Sequence, residues 1–497
     1  VIENLAQLIE YRRERSPRQS FGVAGSHRPF EEVADRAAGF AEILSAHGLG
    51  RGTRVALIGR NSLAYLTAWV GLQLAGAEAA LVNSTYADDM LEQMLTNLGV
   101  DGVVVADVNP VLRPWSGTDR YIDASQLAHG TVVAGEAVLT VPDPVGTMPG
   151  TGRASSDLAG FIHTSGTTGL PKFCALSHEY HLSLGRFIAD MMTIGPDDTV
   201  FAPLPLFHIN PLGYGIVGGL VAGANALSAP RFSANAFWTQ VRDEGVTAAI
   251  LHIPPVEILK KRATREDAQG HRLRVVFGAD AEFMERFQIP VGLSGYGSTE
   301  AAGLTHSRVW RRGEVPDDGA PLRRYAGEAR HDVEWRLAED GEIQVRGRRP
   351  HVLFDGYQVG DQLTSVVDED GWFSTGDLGS LDPGGGLVFR ERRAESIRVK
   401  GEFVPIDMVE KELSDVPGLA DFALWKIEGD LQDDQVVLYT EGALVDLDVL
   451  RAVSGSLPAF MRPAYLIRVE QLPRDEGVGK VRRRQLPDLA ELERIAL

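Results

Sequence analysis

The densest chemistry in this 497-residue chain lies in His163–Lys172, reading HTSGTTGLPK. Hydroxyls at Thr164, Ser165, Thr167 and Thr168 alternate with Gly166 and Gly169. Such a loop offers donors that can wrap an anion, glycine allows close backbone approach, and Lys172 supplies a compact positive charge. Phosphate is the anion this pattern suits. The spacing departs from G-x-x-x-x-G-K-[ST], which argues against a Walker-type nucleotide loop. Read alone, the segment is also compatible with a Ser/Thr/Gly surface turn.

An anion loop needs a rigid frame, and the flanking sequence predicts one. LAGFI before the loop reads as a strand. FEEVADRAAGFAEILSA (30–46) and SLAYLTAWVGLQLAG (62–76) repeat apolar residues at helical spacing, with the strand-like RVALIG (54–59) between them. AEAALVN (77–83), a helix near Asp88–Leu98 and GVVVA (102–106) continue the alternation, which returns at 247–259 and 273–289. The expectation is an α/β fold: a large N-terminal domain of parallel-rich sheets packed with helices. From about 320 the pattern shifts to a small β region, including GEIQVRG (341–347) and GLVFRER (386–392). A boundary near Arg392–Glu395 divides residues 1–392 from a small α+β domain, 393–497, with helices over 406–414 and 446–456 and strands over 421–427 and 434–440.

Composition narrows the class. Hydrophobic residues make 44% of the chain and charged residues 24%, as in soluble globular proteins. A net charge of −19 argues against a general nucleic-acid binder. Cys174 is the single cysteine, so neither an internal disulfide nor a cysteine-rich metal site is expected. VIENLAQLIEYRRERS carries early charge and does not read as a secretory signal. The most apolar stretch, Tyr214–Ala229, is Gly-rich and contains Asn225, so no membrane span is expected and a cytoplasmic setting is.

Four further motifs follow the loop in order: GYGSTE (Gly295–Glu300), GWFSTGDLG (Gly371–Gly379), RVKGE (Arg398–Glu402) and Gly479-Lys480. With these the chain resembles the adenylate-forming superfamily over essentially its whole length, in the acyl-CoA synthetase branch. The resemblance implies a mobile C-terminal lid, with ATP (and AMP), Mg2+ and coenzyme A as cofactors and co-substrates. It implies conversion of an apolar carboxylic acid to its CoA thioester through an acyl-adenylate.

It also implies roles for individual residues. Thr164, Ser165, Gly166, Thr167, Thr168, Gly169 and Lys172 would cradle the phosphates. Thr299 would contact the α-phosphate and Glu300 would hold magnesium, a hard cation that takes one carboxylate beside phosphate oxygens. Gly278, Ala279 and Asp280 match the adenine-side segment, Tyr296 would stack on the base beside Gly297, and Asp377 and Arg392 would hold the ribose. His208, in PLFH (Pro205–His208), resembles a gate beside the acyl pocket. The Gly-rich run 213–224 is either a buried helix pair or a pocket wall. Lys480 would stabilise charge during adenylation, and the loop carrying Lys400 and Gly401 would line the pantetheine tunnel. Arg482, Arg483 and Arg484 read equally as CoA-phosphate ligands or as a solvated basic run.

Three positions depart from the family pattern. Phe173 follows Pro-Lys where glycine is usual, and Ala394 stands at a hinge position that is usually charged. Six residues, instead of five, separate Pro473 from Lys480, with Val478 in a usually polar place. One added residue displaces a side chain by about 3 Å along an extended chain. The lysine loop therefore points to the adenylation step as the altered one. Besides the complete ligase, the sequence is compatible with an enzyme that only forms the thioester from an adenylate supplied by a partner. Loading of a carrier protein, and a non-catalytic nucleotide binder, are the remaining alternatives.

Overall fold

The computed structural model describes residues 1–86, 88–106, 120–144, 146–164, 171–316, 322–392, 397–400, 402–404, 406–419, 421–428, 434–441, 445–473, 481, 483–487 and 494–497. The chain divides into two compact units. The first comprises Val1–Ser84, Glu92–His163 and Phe173–Glu391; the second comprises Thr85–Leu91, Thr164–Lys172 and Arg392–Leu497. The division at Glu391/Arg392 is one residue from the linear boundary, but the second unit also takes in two segments remote in sequence.

Two sheets organise the first unit. In the larger, the strands Ser20–Val23, Asn225–Ser228, Thr199–Ala202, Ala248–Ile250, Val275–Phe277 and Val291–Tyr296 lie side by side and parallel. The sheet then turns antiparallel through His306–Arg311, Tyr325–Ala329 and Leu387–Arg392, and continues through Phe373–Leu381, Glu342–Gly347 and Val333–Leu337. In the second sheet, Tyr121–Asp123, Gly102–Val105, Arg54–Ile58, Glu78–Val82 and Leu158–Thr164 run parallel. Next to them comes Lys172–Ser177, which pairs antiparallel with Gly356–Val359.

Local chemistry sets the helices. Ser62 caps Leu63–Ala75 by accepting from the Tyr65 amide at 3.0 Å, and Gly76 ends the helix in the left-handed region at φ 74°. The periodicity reads as one apolar stripe, yet every residue of this helix is buried. It packs against the helices Leu5–Arg15 and Phe30–Ala46 and against the strands Arg54–Ile58 and Glu78–Val82, so it has no solvent face to keep polar. The Gly-rich run becomes a π-helix, Asn210–Val217, continued by the α-helix Gly218–Ala222. No helix among the described residues is long and apolar enough to cross a membrane.

In the second unit, Phe422–Glu428 pairs antiparallel with Asp434–Glu441, which lies parallel to Tyr465–Val469. The helices Ile406–Leu413 and Leu447–Ser456 complete its α+β character. Arg483 donates to both Glu410 carboxylate oxygens at 2.9 Å and to the Leu424 carbonyl at 3.1 Å. Its guanidinium thus braces the unit from within and does not belong to a solvated basic run.

Candidate functional site

Parallel sheets offer binding crevices beyond the carboxyl ends of their strands. Here Thr199–Ala202, Ala248–Ile250, Val275–Phe277 and Val291–Tyr296 end side by side, and the segments that follow them carry His208, His252, Gly278 and Gly297. Gly278 has φ +87°, and a Cβ there would lie 2.8 Å from the Leu251 carbonyl oxygen. Only glycine fits that turn. Gly297 is packed as tightly, because a Cβ would lie 2.6 Å from Leu304 Cα. Ala279 is buried, and Asp280 caps the next helix by accepting from the Phe283 amide at 2.7 Å. The other Asp280 oxygen accepts from Lys260 Nζ at 2.6 Å. Burial opposes the Lys260 charge, but the hydrogen bonds it donates to Asp280 and Glu257 outweigh it and hold the ammonium above its usual range. The Asp280 carboxylate is therefore committed to local structure.

Tyr296 and Asp377 meet although they lie far apart in sequence. Tyr296 Oη donates to Asp377 Oδ2 at 2.8 Å, and its ring stacks on Phe389 with centroids 5.9 Å apart. Asp377 is buried. Thr299 and Glu300 sit in the turn after Tyr296, where Ser298 accepts from the Ala301 amide through Oγ and from the Gly303 amide through its carbonyl. Ala302 takes φ 57°, unusual for a residue with a Cβ, and Gly303 takes φ 71°. Arg330 holds this turn: its Nη1 donates to the carbonyls of Ala302 at 3.0 Å and Leu304 at 3.2 Å. Its other donors form a bidentate pair with Asp332 at 2.7 and 2.9 Å. Tyr180 Oη donates to the Thr299 carbonyl, Tyr214 Oη to that of Gly303, and Tyr357 Oη to Glu300 Oε1 at 3.0 Å. Burial, reinforced by the Glu300 charge, pushes the Tyr357 hydroxyl up, so it stays a donor.

His208 belongs to an aromatic cluster. Phe207 lies 4.7 Å from it and stacks on His163 at 5.8 Å, while Phe173 meets His163 edge-on at 6.2 Å. The departure at Phe173 thus resolves into core packing, with the ring buried and the residue paired opposite Gln358. Cys174 is also buried and lies opposite Tyr357 in the same ladder.

Over residues 12–360 the chain matches the family described as AMP-binding enzyme. It belongs to that family. Within the adenylate-forming superfamily its place is the acyl-CoA ligase branch. The AMP-binding enzyme is 28% identical to the probable CoA ligase CCL9 of Humulus lupulus, over 95% of this chain and 93% of that one. It is 27% identical to crotonobetaine/carnitine–CoA ligase of Escherichia coli, over 90% of each. Its fold is similar to that of o-succinylbenzoate CoA synthetase (MenE) of Bacillus subtilis solved with a product analogue. The TM-score there is 0.82, the coverage 98% and 99%, and the identity 21%. The superfamily and the α/β architecture expected from the ordered motifs are those found.

Within this enzyme, Gly278, Ala279, Tyr296, Gly297, Thr299, Glu300, Asp377 and His208 all belong to the first unit. Thr164 and Lys172 belong to the second, at the end of Leu158–Thr164 and the start of Lys172–Ser177. Ser165, Gly166, Thr167, Thr168, Gly169, Ala394, Gly401, Val478, Lys480 and Arg482 lie outside the described residues, as do the side chains of Arg392 and Arg484. Lys400 is exposed, with φ 52°, in the turn of the hairpin Ile397–Val399/Glu402–Val404. Among the described residues no three His, Cys, Asp or Glu side chains group as a metal cage. Glu300 offers one carboxylate, which fits Mg2+ when the remaining ligands are phosphate and water.

The motifs did not announce Tyr180, Tyr214, Arg330 or Tyr357. Each reaches the 299–304 turn from a distant segment, and no local spacing marks such a partner.

Proposed function

We propose that this enzyme is an ATP-dependent acyl-CoA ligase acting on an apolar carboxylic acid. The carrying observation is the pairing of Tyr296 with Asp377 and of Tyr357 with Glu300 beyond the ends of the parallel strands. Tyr296 gives the base a flat face, and the Asp377 carboxylate accepts from the ribose hydroxyls. Thr299 meets the α-phosphate, and Thr164, Ser165, Thr167, Thr168 and Lys172 hold the chain of phosphates. Glu300 would hold Mg2+, which neutralises charge on the triphosphate.

An oxygen of the acid's carboxylate attacks the α-phosphorus, the P–O bond to pyrophosphate breaks, and pyrophosphate leaves. Lys480 stabilises the charge developing in that step, a role whose loss costs about 3 kcal/mol. The thiolate of CoA then attacks the acyl carbon and AMP departs. Positioning and electrostatics supply the rate, since anion must meet anion.

The six-residue spacing before Lys480 favours a second reading, in which the enzyme completes only the thioester from a supplied acyl-adenylate. The test follows pyrophosphate release with ATP beside thioester formation from synthetic acyl-adenylates, across fatty, aromatic and polycyclic acids. Both steps running supports the full ligase; consumption of the adenylate alone selects the second reading. Neither step running with any acid overturns both. Lys480→Ala should slow pyrophosphate release about a hundredfold and leave the thioester step nearly intact.

A further inference from the structure

Among the described residues, Asn210 alone leaves two buried side-chain polar atoms, Oδ1 and Nδ2, without a hydrogen bond. It is 4% exposed. The fold does not neglect amides in this region. Asn61, also buried, donates to the carbonyls of Leu204 and Ala229 and to Ser228 Oγ, and accepts from the Leu206 amide at 2.9 Å. A buried amide that lacks all such partners carries an uncompensated desolvation penalty.

Asn210 opens the π-helix Asn210–Val217, two residues after His208. π-Helical turns concentrate at functional sites. The neighbouring glycines of this helix are packed shut: a Cβ on Gly213 would meet Leu184, and one on Gly215 would meet Ala202. Residues four and five apart share a face when i→i+5 bonds close the helix, so Asn210 lies on the face of Tyr214. That face is directed at the nucleotide-side segments: Tyr214 Oη donates to the Gly303 carbonyl at 2.8 Å, and its ring meets Phe277, next to Gly278, at 5.1 Å.

We infer that Asn210 selects the acid, pairing with a hydroxyl carried on its otherwise apolar tail. An amide presents a donor and an acceptor side by side, and a hydroxyl answers both from one atom. An apolar analogue leaves the amide orphaned, which is how a polar site rejects a substrate lacking the matching group. The inference rests on the ligase reading and narrows its substrate class.

The test compares kcat/KM for thioester formation from ATP, CoA and matched acids: octanoic against 3-, 5- and 8-hydroxyoctanoic, and benzoic against 4-hydroxybenzoic. In a chain limited to the second half-reaction, the corresponding acyl-adenylates replace acid and ATP. At least one hydroxylated acid should exceed its parent about tenfold or more. Asn210→Leu should bring that ratio to about one, and Asn210→Ser should retain part of it. Because leucine removes two orphaned polar atoms, the Tm of the free Asn210→Leu protein should hold or rise.

A wild-type enzyme that favours no hydroxylated acid overturns the inference and leaves the ligase reading standing. So does an Asn210→Leu enzyme that keeps the preference. A fall of several degrees in the Tm of Asn210→Leu, or its failure to fold, makes the amide a structural group and overturns the inference too. If no acid or adenylate is converted by wild type, the ligase reading fails and this inference with it.

Discussion

Tyr357 Oη donates to Glu300 Oε1 at 3.0 Å, so a phenol 57 residues away orients the carboxylate of the GYGSTE motif. Tyr357 also lies opposite Cys174 in the ladder that pairs Phe173 with Gln358. One strand therefore links the glutamate to the strand that carries Phe173 and Cys174. A hydrogen bond to a charged group contributes about 1.5–3 kcal/mol. Tyr357→Phe should raise the Mg2+ or ATP concentration for half-maximal activity about tenfold while changing Tm little. Titration of initial rate with each ligand checks this, and unchanged half-saturation for both would remove Tyr357 from the site.

Arg330 and Asp332 form a buried pair whose guanidinium also satisfies the carbonyls of Ala302 and Leu304. Replacing Arg330 by methionine strands the Asp332 carboxylate and both carbonyls. The expected loss is about 3–5 kcal/mol, the range for breaking a buried pair. Arg330→Met/Asp332→Leu, which removes both charges, should recover part of it. Denaturant midpoints of the single and double variants measure the difference.

Stability should fall as pH drops below neutral. Burial pushes His178 down to about 3, His181 to about 4 and His306 to about 3. Thr305 donates its hydroxyl to the Tyr296 carbonyl, so His306 Nδ1 is the donor in their 2.9 Å contact. Unfolded histidines take up protons near pH 6.5 while these native rings do not, so the unfolded state binds more protons and stability rises with pH across that interval. The contribution is complete above about pH 6.5 and is lost as pH falls toward 3, at up to about 1.4 kcal/mol per pH unit per ring. Tm measured from pH 7.5 to 5 should decline. His306→Phe should make the decline shallower, and parallel curves would contradict this account.

Phe173→Gly restores the residue usual after Pro-Lys, yet it should harm this protein. The ring is buried against His163, and its removal leaves a cavity worth about 3 kcal/mol or more. Thermal unfolding of the variant should show a clear drop in Tm, whereas an unchanged Tm would place the ring outside the core.

The ordered motifs from His163 to Lys480 made the superfamily and the α/β fold legible, because backbone geometry for phosphate and nucleotide contact demands particular residues at short, fixed spacing. Gly278 and Gly297 are fixed by their own packing as well: a Cβ at either collides with backbone. The alternation of strands and helices was legible for the same reason, since periodicity is local. The burial of Leu63–Ala75 on every face was not, because it depends on layers built from distant segments.

Chain topology alone decided which side chains serve each motif. Arg330 reaches the turn after Glu300 through register across the antiparallel strands His306–Arg311 and Tyr325–Ala329, whereas Tyr357 reaches Glu300 from the other sheet, and no spacing in the sequence encodes either. Phe173 likewise read only as a departure from the family pattern until the fold set its ring against His163. Residue types that must touch a phosphate are set by chemistry and show in the sequence. The partners that hold them are set by packing, and packing exists only once the chain has folded.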